Sequence, residues 1–378
     1  MTITLPDPVT GETAPAGTAG AAHSAYAARS RFGSLDGLRC LCILAVIWHH
    51  SPWWTGIAGR PRLLERGFVG VDFFFVLSGF LITTLLLREA GRKGRFSLAG
   101  FYWRRALRIL PVYYFVVTFV AAYLYFVSGR AEILPLLPCY YAFLSNFLVE
   151  QIPLLSPTWS LAVEEQYYLI WPLALLILPR RLVLPVLALV IGANVLGASG
   201  VFGLSPATLG PLRFSLPSAT YAPILIGSAL ALLLDRGPVF AALWPVLGRR
   251  GAAPLAFAAI LVLLQSLPDD LRGLPNLVLH LAMAVALAAL VMREDHMLAA
   301  PLRWRPIARI GEISYGIYLY HLLALHAAGL VLERLGLASG PVVLVAYLAL
   351  SILIAEISDR TLESFFRKFR NRGPGAGA

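Results

Sequence analysis

The chain has 378 residues, 58% hydrophobic and only 13% charged, with a mean hydropathy of +0.75. A soluble domain is about a quarter charged and nearer half apolar, so an ordinary globular protein is excluded and an all-α polytopic membrane protein is expected. The net charge of +11 is no nucleic-acid signature, because the basic residues fall in short links between apolar runs, where they set orientation in a membrane.

Residues 1–32 are rich in Ala, Gly, Thr and Pro and lack the apolar core of a signal peptide, so they read as a disordered cytoplasmic tail. The stretch LDGLRCLCILAVIWHHS (35–51) is apolar but carries Asp36 and Arg39 at one end and His49 and His50 at the other. A helix turns about 100° per residue, so the eleven steps from Arg39 to His50 make three turns plus about 20°. The two side chains share a face, about 16 Å apart along the axis, and His49 points about 100° away. Asp36 could instead cap the helix, and Arg39 could snorkel to headgroups. Cys40, Cys42 and Cys139 lie in apolar segments with no metal-site spacing and read as packing residues; no metal is expected.

The next run, GFVGVDFFFVLSGFLITTLLL (67–87), places Asp72 at membrane depth. A carboxylate there costs about 2.5–3.5 kcal/mol or more unless paired or hydrated, and His50 is a candidate partner across one short link. FYWRRALRILPVYY (101–114) follows, with Arg104, Arg105 and Arg108 at the mouth of a third span. Arg104 and Arg108 are one helical turn apart, and forked guanidinium groups suit phosphates, although ordinary anchoring also explains any one of them. The segment 133–148 is apolar but broken by Pro135 and Pro138.

SPTWSLAVEEQYYLIWP (156–172) sets two glutamates in an apolar span. Helical phase puts Glu164 with Ser160 and Tyr168, and Glu165 with Leu161 and Leu169, so Glu164 is the one expected to face a cavity. In IGEISYGIYLYHLLALH (310–326), Ser314, Tyr318 and His321 form one stripe that could line a substrate passage; His280 and His326 read as structural.

Ten spans are expected, beginning near residues 36, 67, 109, 161, 182, 217, 251, 276, 310 and 340, each close to the roughly 20 residues that cross a hydrocarbon core. The basic links fall on one side only if 133–148 does not cross, which makes it a re-entrant outer segment and leaves both termini cytoplasmic. Residues 361–378 then form a basic cytoplasmic tail.

Taken in order, LDGLRCLCILAVIWHH, GVDFFFVLSGFLI, FYWRRALRILPVYY, TWSLAVEEQYYLIWP and ISYGIYLYH resemble the membrane-bound acyltransferase-3 family over about residues 33–325. The resemblance implies a ten-helix acyltransferase domain, here 33–360, in the cytoplasmic membrane. It implies transfer of an acyl group, acetyl by default, from acyl-CoA as co-substrate to a hydroxyl of a carbohydrate, glycan or natural product. By motif position, Arg39 and His50 match the family's essential pair. Arg105 and Arg108 match its arginine-x-x-arginine motif. Glu164 or Glu165, with Tyr168, falls in its serine–glutamate–tyrosine run. Cys40 stands where the family commonly has glycine or alanine. Some members append a hydrolase-like domain; only about 20 residues follow the last span, so that domain is expected to be absent, leaving the membrane domain alone or with a partner protein. On this reading His50 acts as base or acyl carrier, Asp72 or Glu164 orients it, and the arginines hold the donor phosphates. The rival is a transporter or flippase for a saccharide or lipid-linked substrate, since many spans and intramembrane charge suit that as well.

Overall fold

The computed structural model describes residues 18–54, 61–203, 207–214 and 221–373. Its main helices are α1 (Thr18–Ala28), α2 (Leu35–His49), α3 (Val69–Lys93), α4 (Leu98–Ala122), α5 (Thr158–Ile177), α6 (Arg180–Ala198) and α7 (Ala222–Leu234). They continue as α8 (Gly237–Leu247), α9 (Ala252–Ser266), α10 (Leu274–Met292), α11 (Arg305–Glu312), α12 (Ser314–Arg334) and α13 (Gly340–Ser358). The described strands, Ala207–Leu209 and Leu212–Phe214, form one small antiparallel hairpin that pairs Thr208 with Arg213.

Local chemistry sets the boundaries. Gly94, at φ 69°, ends α3 in the left-handed region, where glycine has no Cβ to clash. Ser97 then caps α4, its hydroxyl accepting from the Gly100 N–H at 3.1 Å. Prolines stand in the first turn of α7, α8, α10 and α13, where the missing N–H is harmless.

Helix α3 is the central element. Its Phe75 belongs to one apolar cluster with Val112, Tyr113, Tyr168 and Ile317. Its Val76 and Phe80 belong to a second, with Leu38, Leu279 and Leu290. α3 runs against α7 along a seam of small residues. A Cβ on Gly79 would strike the Ile224 carbonyl, and one on Gly227 would strike the Val76 carbonyl, so the two backbones touch.

Six described helices are long and apolar enough to cross a membrane, and α7 with α8 makes a seventh if that pair, bent by 104°, is one span. All-α and multi-pass describes the chain, but ten spans do not follow from it. α2 and α9 have 15 residues each, short of a full crossing. α5 is long enough but is made too polar by Glu164, Glu165 and Gln166. The segment around 133–148 contains only short pieces: a 3-10 turn at Ala131–Leu136, a five-residue helix at Leu137–Tyr141 and another turn at Ser145–Phe147.

Part of each segment expected to be a tail is folded. Residues 1–17 and 374–378 lie outside the described residues. Within 18–32, however, α1 is folded: Tyr26 is buried against Phe32 and Phe240, and the Arg88 guanidinium lies over the Tyr26 and Phe32 rings. Two aromatics anchor a stretch whose Ala/Gly content reads as disorder. At the other end, residues 359–372 continue α13 and fold back on α4, where Trp103 Nε1 donates to the Phe369 carbonyl at 3.1 Å.

Candidate active site

α2 holds Arg39 and His50 on one continuous helix, since His50 caps it with helical φ and ψ. Arg39 donates to Asp36 Oδ1 at 2.9 Å, one turn back, and Asp36 Oδ2 accepts from Arg31 at 2.8 Å. Asp36 is buried, so its charge is met by two guanidinium groups. At the other end, His50 Nδ1 lies 2.9 Å from the Val46 carbonyl. A carbonyl only accepts, so Nδ1 carries the proton and Nε2 keeps its lone pair. His49 points away, as its phase requires: it is exposed, with Nδ1 3.2 Å from the Glu65 carbonyl.

A cavity of about 290 Å³ opens beside Arg39. Arg105 and Arg108 of α4 line it with Arg39, while Ser78, Glu164 and Tyr168 form another part of its wall. Ser78 donates to Glu164 Oε1 at 2.5 Å, a short charge-assisted bond. The Arg105 guanidinium lies 3.5 Å from the centroid of the Tyr168 ring, within cation–π range. Among the described residues neither Arg105 nor Arg108 has a carboxylate at ion-pair distance.

The cavity also reaches Ser160, Ser314 and Tyr318. Ser160 and Tyr318 share a hydroxyl–hydroxyl bond of 2.7 Å, and Tyr318 donates to the Pro157 carbonyl at 3.0 Å. Behind Tyr318 lies His321, fully buried, with Nδ1 2.6 Å from the Tyr318 carbonyl. By the same logic as for His50, His321 Nδ1 carries the proton; its Nε2 is buried with no hydrogen-bond partner. The His321 ring meets the His50 ring edge-on, centroids 5.0 Å apart. Neither His50 nor His321 lines the cavity; they meet it through Tyr318, which lines it and whose carbonyl holds His321.

Several expectations change. Asp72 does not meet His50: it lies 3.4 Å from His280 Nε2, on the side of α3 that faces α10, whereas His50 faces α12. Arg104 pairs with Glu89 at 3.2 Å and is absent from this cavity, though it lines an adjoining one together with Arg105 and Arg108. Glu165 is absent from the cavity lining and Glu164 is present, as helical phase indicates. His321 backs His50 instead of lining the passage, while Tyr168, Ser314 and Tyr318 line it. Sequence reasoning missed Tyr315, which lines the cavity and donates to the Ile109 carbonyl at 3.0 Å, and Arg31; nothing in local spacing marks either. Among the described residues, no three His, Cys, Asp or Glu side chains gather as a metal site.

Residues 32–357 match the acyltransferase domain of the acyltransferase-3 family. The chain is 32% identical over 366 residues to the peptidoglycan O-acetyltransferase OatA of Listeria monocytogenes, covering 89% of this chain and 56% of that protein. It is 31% identical over 316 residues to the putative peptidoglycan O-acetyltransferase YrhL of Bacillus subtilis, covering 76% and 47%. It is 27% identical over 367 residues to the putative O-acetyltransferase SACOL0978 of Staphylococcus aureus, covering 88% and 57%. The chain thus spans about half the length of these curated relatives. No solved structure matches.

Proposed function

The chain belongs to the acyltransferase-3 family, and from that premise we propose that it is an integral membrane O-acyltransferase. It moves an acyl group, acetyl by default, from acyl-CoA to a hydroxyl of a carbohydrate, glycan or glycosylated natural product. The observation that carries this reading is one cavity lined by Arg39, Arg105, Arg108, Glu164 and Tyr318, the last of which holds the histidine beside His50 through its carbonyl. Two relatives named as peptidoglycan O-acetyltransferases, one of them putative, favour a glycan acceptor.

In this mechanism the arginines hold the donor phosphates, since planar guanidinium forks bind phosphate oxygens two at a time. The roughly 16 Å rise from Arg39 to His50 matches the scale of an extended pantetheine arm. His50 Nε2 accepts the proton of the acceptor hydroxyl as that oxygen attacks the thioester carbonyl. The carbon–sulfur bond then breaks, the acyl group stays on the oxygen, and the departing thiolate takes the proton back from the imidazolium. Glu164, fixed by Ser78, orients groups in the passage. Asp72 has no part in this scheme. In this scheme the arginine end faces the cytoplasm, a reading supported by the basic links, so a cytoplasmic donor can serve an acceptor reached from the other side, alone or with a partner protein.

The test uses the purified protein in lipid nanodiscs with radiolabelled acetyl-CoA. Release of free CoA, lost in His50→Ala at equal expression, is the expected result. Intact acetyl-CoA together with saccharide movement across a vesicle membrane would sink the proposal in favour of a transporter.

A further inference from the structure

A second cavity of about 560 Å³ adjoins the first, and Arg88, Arg105, Arg108 and Tyr315 line both. Its size falls in the range of about 300–1,000 Å³ common for small-molecule sites. It is strongly basic, with eight arginines and lysines against four carboxylates. Three of those carboxylates are already met. Glu89 is held by Arg104, Glu312 by Arg31 and Arg309, and Asp359 by Arg309 and Arg367. Arg92, Arg105, Arg108 and Arg370 have no ion pair among the described residues. Arg105 Nε is buried without a hydrogen-bond partner where the two cavities meet.

The C-terminal segment builds one wall. Arg367 is fixed by Asp359 at 2.5 Å and by the Asp359 carbonyl at 2.7 Å, and Trp103 ties Phe369 to α4. Arg370 is thereby placed at the rim, exposed and uncompensated, as is Arg92 at the end of α3. Uncompensated guanidinium groups around a concave site call for a polyanion.

We infer that this second cavity binds the phosphorylated adenosine head of the donor, with Arg92 and Arg370 contacting its phosphates, while the smaller first cavity takes the pantetheine arm. The inference rests on the acyl-CoA reading and assigns a donor-binding role to a segment that otherwise reads as a basic tail. It also explains why residues 359–372 fold back on α4 instead of leaving the bundle.

Anionic lipid headgroups share this phosphate chemistry, so the test separates the two. Adenosine 3′,5′-bisphosphate binding is measured on the wild-type protein, Arg92→Ala and Arg370→Ala, in nanodiscs of neutral and of anionic lipid. Both residues are exposed, so the variants should fold; unchanged thermal melting confirms it. Each substitution should weaken binding about tenfold and raise the KM for acetyl-CoA to match. The penalty should vanish with S-acetylpantetheine, which lacks the nucleotide. Equal penalties with both thioesters, or unaltered bisphosphate binding, would overturn the inference. An effect confined to anionic nanodiscs would overturn it in favour of a lipid site. Bisphosphate binding lost in the variants, with no acetyl-CoA consumed by the wild type, would support the subsite and sink the proposed reaction.

Discussion

The imidazole of His50 stands edge-on to that of His321, with 5.0 Å between ring centroids, and each ring has its Nδ1 tied to a main-chain carbonyl. Both Nε2 atoms are left as acceptors, so the pair is set for taking a proton and not for holding one. Their helices, α2 and α12, lie far apart in sequence, and only their packing creates the pair.

His50→Ala should abolish acyl transfer, by about 10²–10⁴-fold for loss of a general base. His49→Ala should retain near-normal activity, because that ring is exposed and turned to Glu65. CoA release at matched expression measures both, and equal losses would contradict the assignment.

Glu164→Gln should lower turnover far more than Glu165→Gln, because only Glu164 lines the cavity and takes the Ser78 hydrogen bond. Ser78→Ala should reproduce part of the Glu164→Gln defect, since a bond to a charged group is worth about 1.5–3 kcal/mol. Steady-state kinetics on the three variants decides this. A larger defect for Glu165→Gln would reverse the facing of α5.

Gly79→Val and Gly227→Val should each destabilise the fold by at least about 1–3 kcal/mol, because the added carbons meet main-chain carbonyls rather than movable side chains. Thermal melting in detergent gives the readout, with Gly91→Val as control, since nothing lies within 4 Å of a Cβ there.

His296 lies in the link after α10, its Nε2 3.0 Å from Ser34 Oγ. Burial, aided by the Arg303 charge, pushes its pKa down from 6.5 to about 4. The unfolded chain therefore binds more protons between those values, so this histidine's contribution to stability is complete above about pH 6.5 and is lost as pH falls toward 4. Melting temperature from pH 7 to 4 should fall less steeply in His296→Gln than in the wild-type protein.

How far the sequence discloses the site depends on the range of the information. Helical phase is local, so it separates His50 from His49 and Glu164 from Glu165 without knowledge of any neighbour. It cannot say which helix lies opposite. Nearness in sequence therefore pairs Asp72 with His50, whereas Asp72 faces His280, which reads as structural. On α4 the i,i+3 and i,i+4 spacings are both one turn, so spacing alone cannot tell that Arg105 lines both cavities while Arg104, paired with Glu89 on α3, lines only the second. Apolar runs locate the helices well, but a run does not reveal the 104° bend between α7 and α8, nor that α2 stops at 15 residues. The small-residue seam at Gly79 and Gly227 exists only as a pair and has no one-dimensional signature.

Arg39 and His50 share one unbroken rod, and that couples them through indels as well as through substitution. One residue inserted between them would swing His50 by about 100° and lift it about 1.5 Å relative to Arg39. It would turn away from the exposed side that His49 now occupies. A deletion would rotate it equally far the other way, onto that side. Helix register therefore fixes the interval from 39 to 50 in count. Room for a longer or shorter ligand must come from elsewhere, in the cavity walls supplied by α3, α4 and α5.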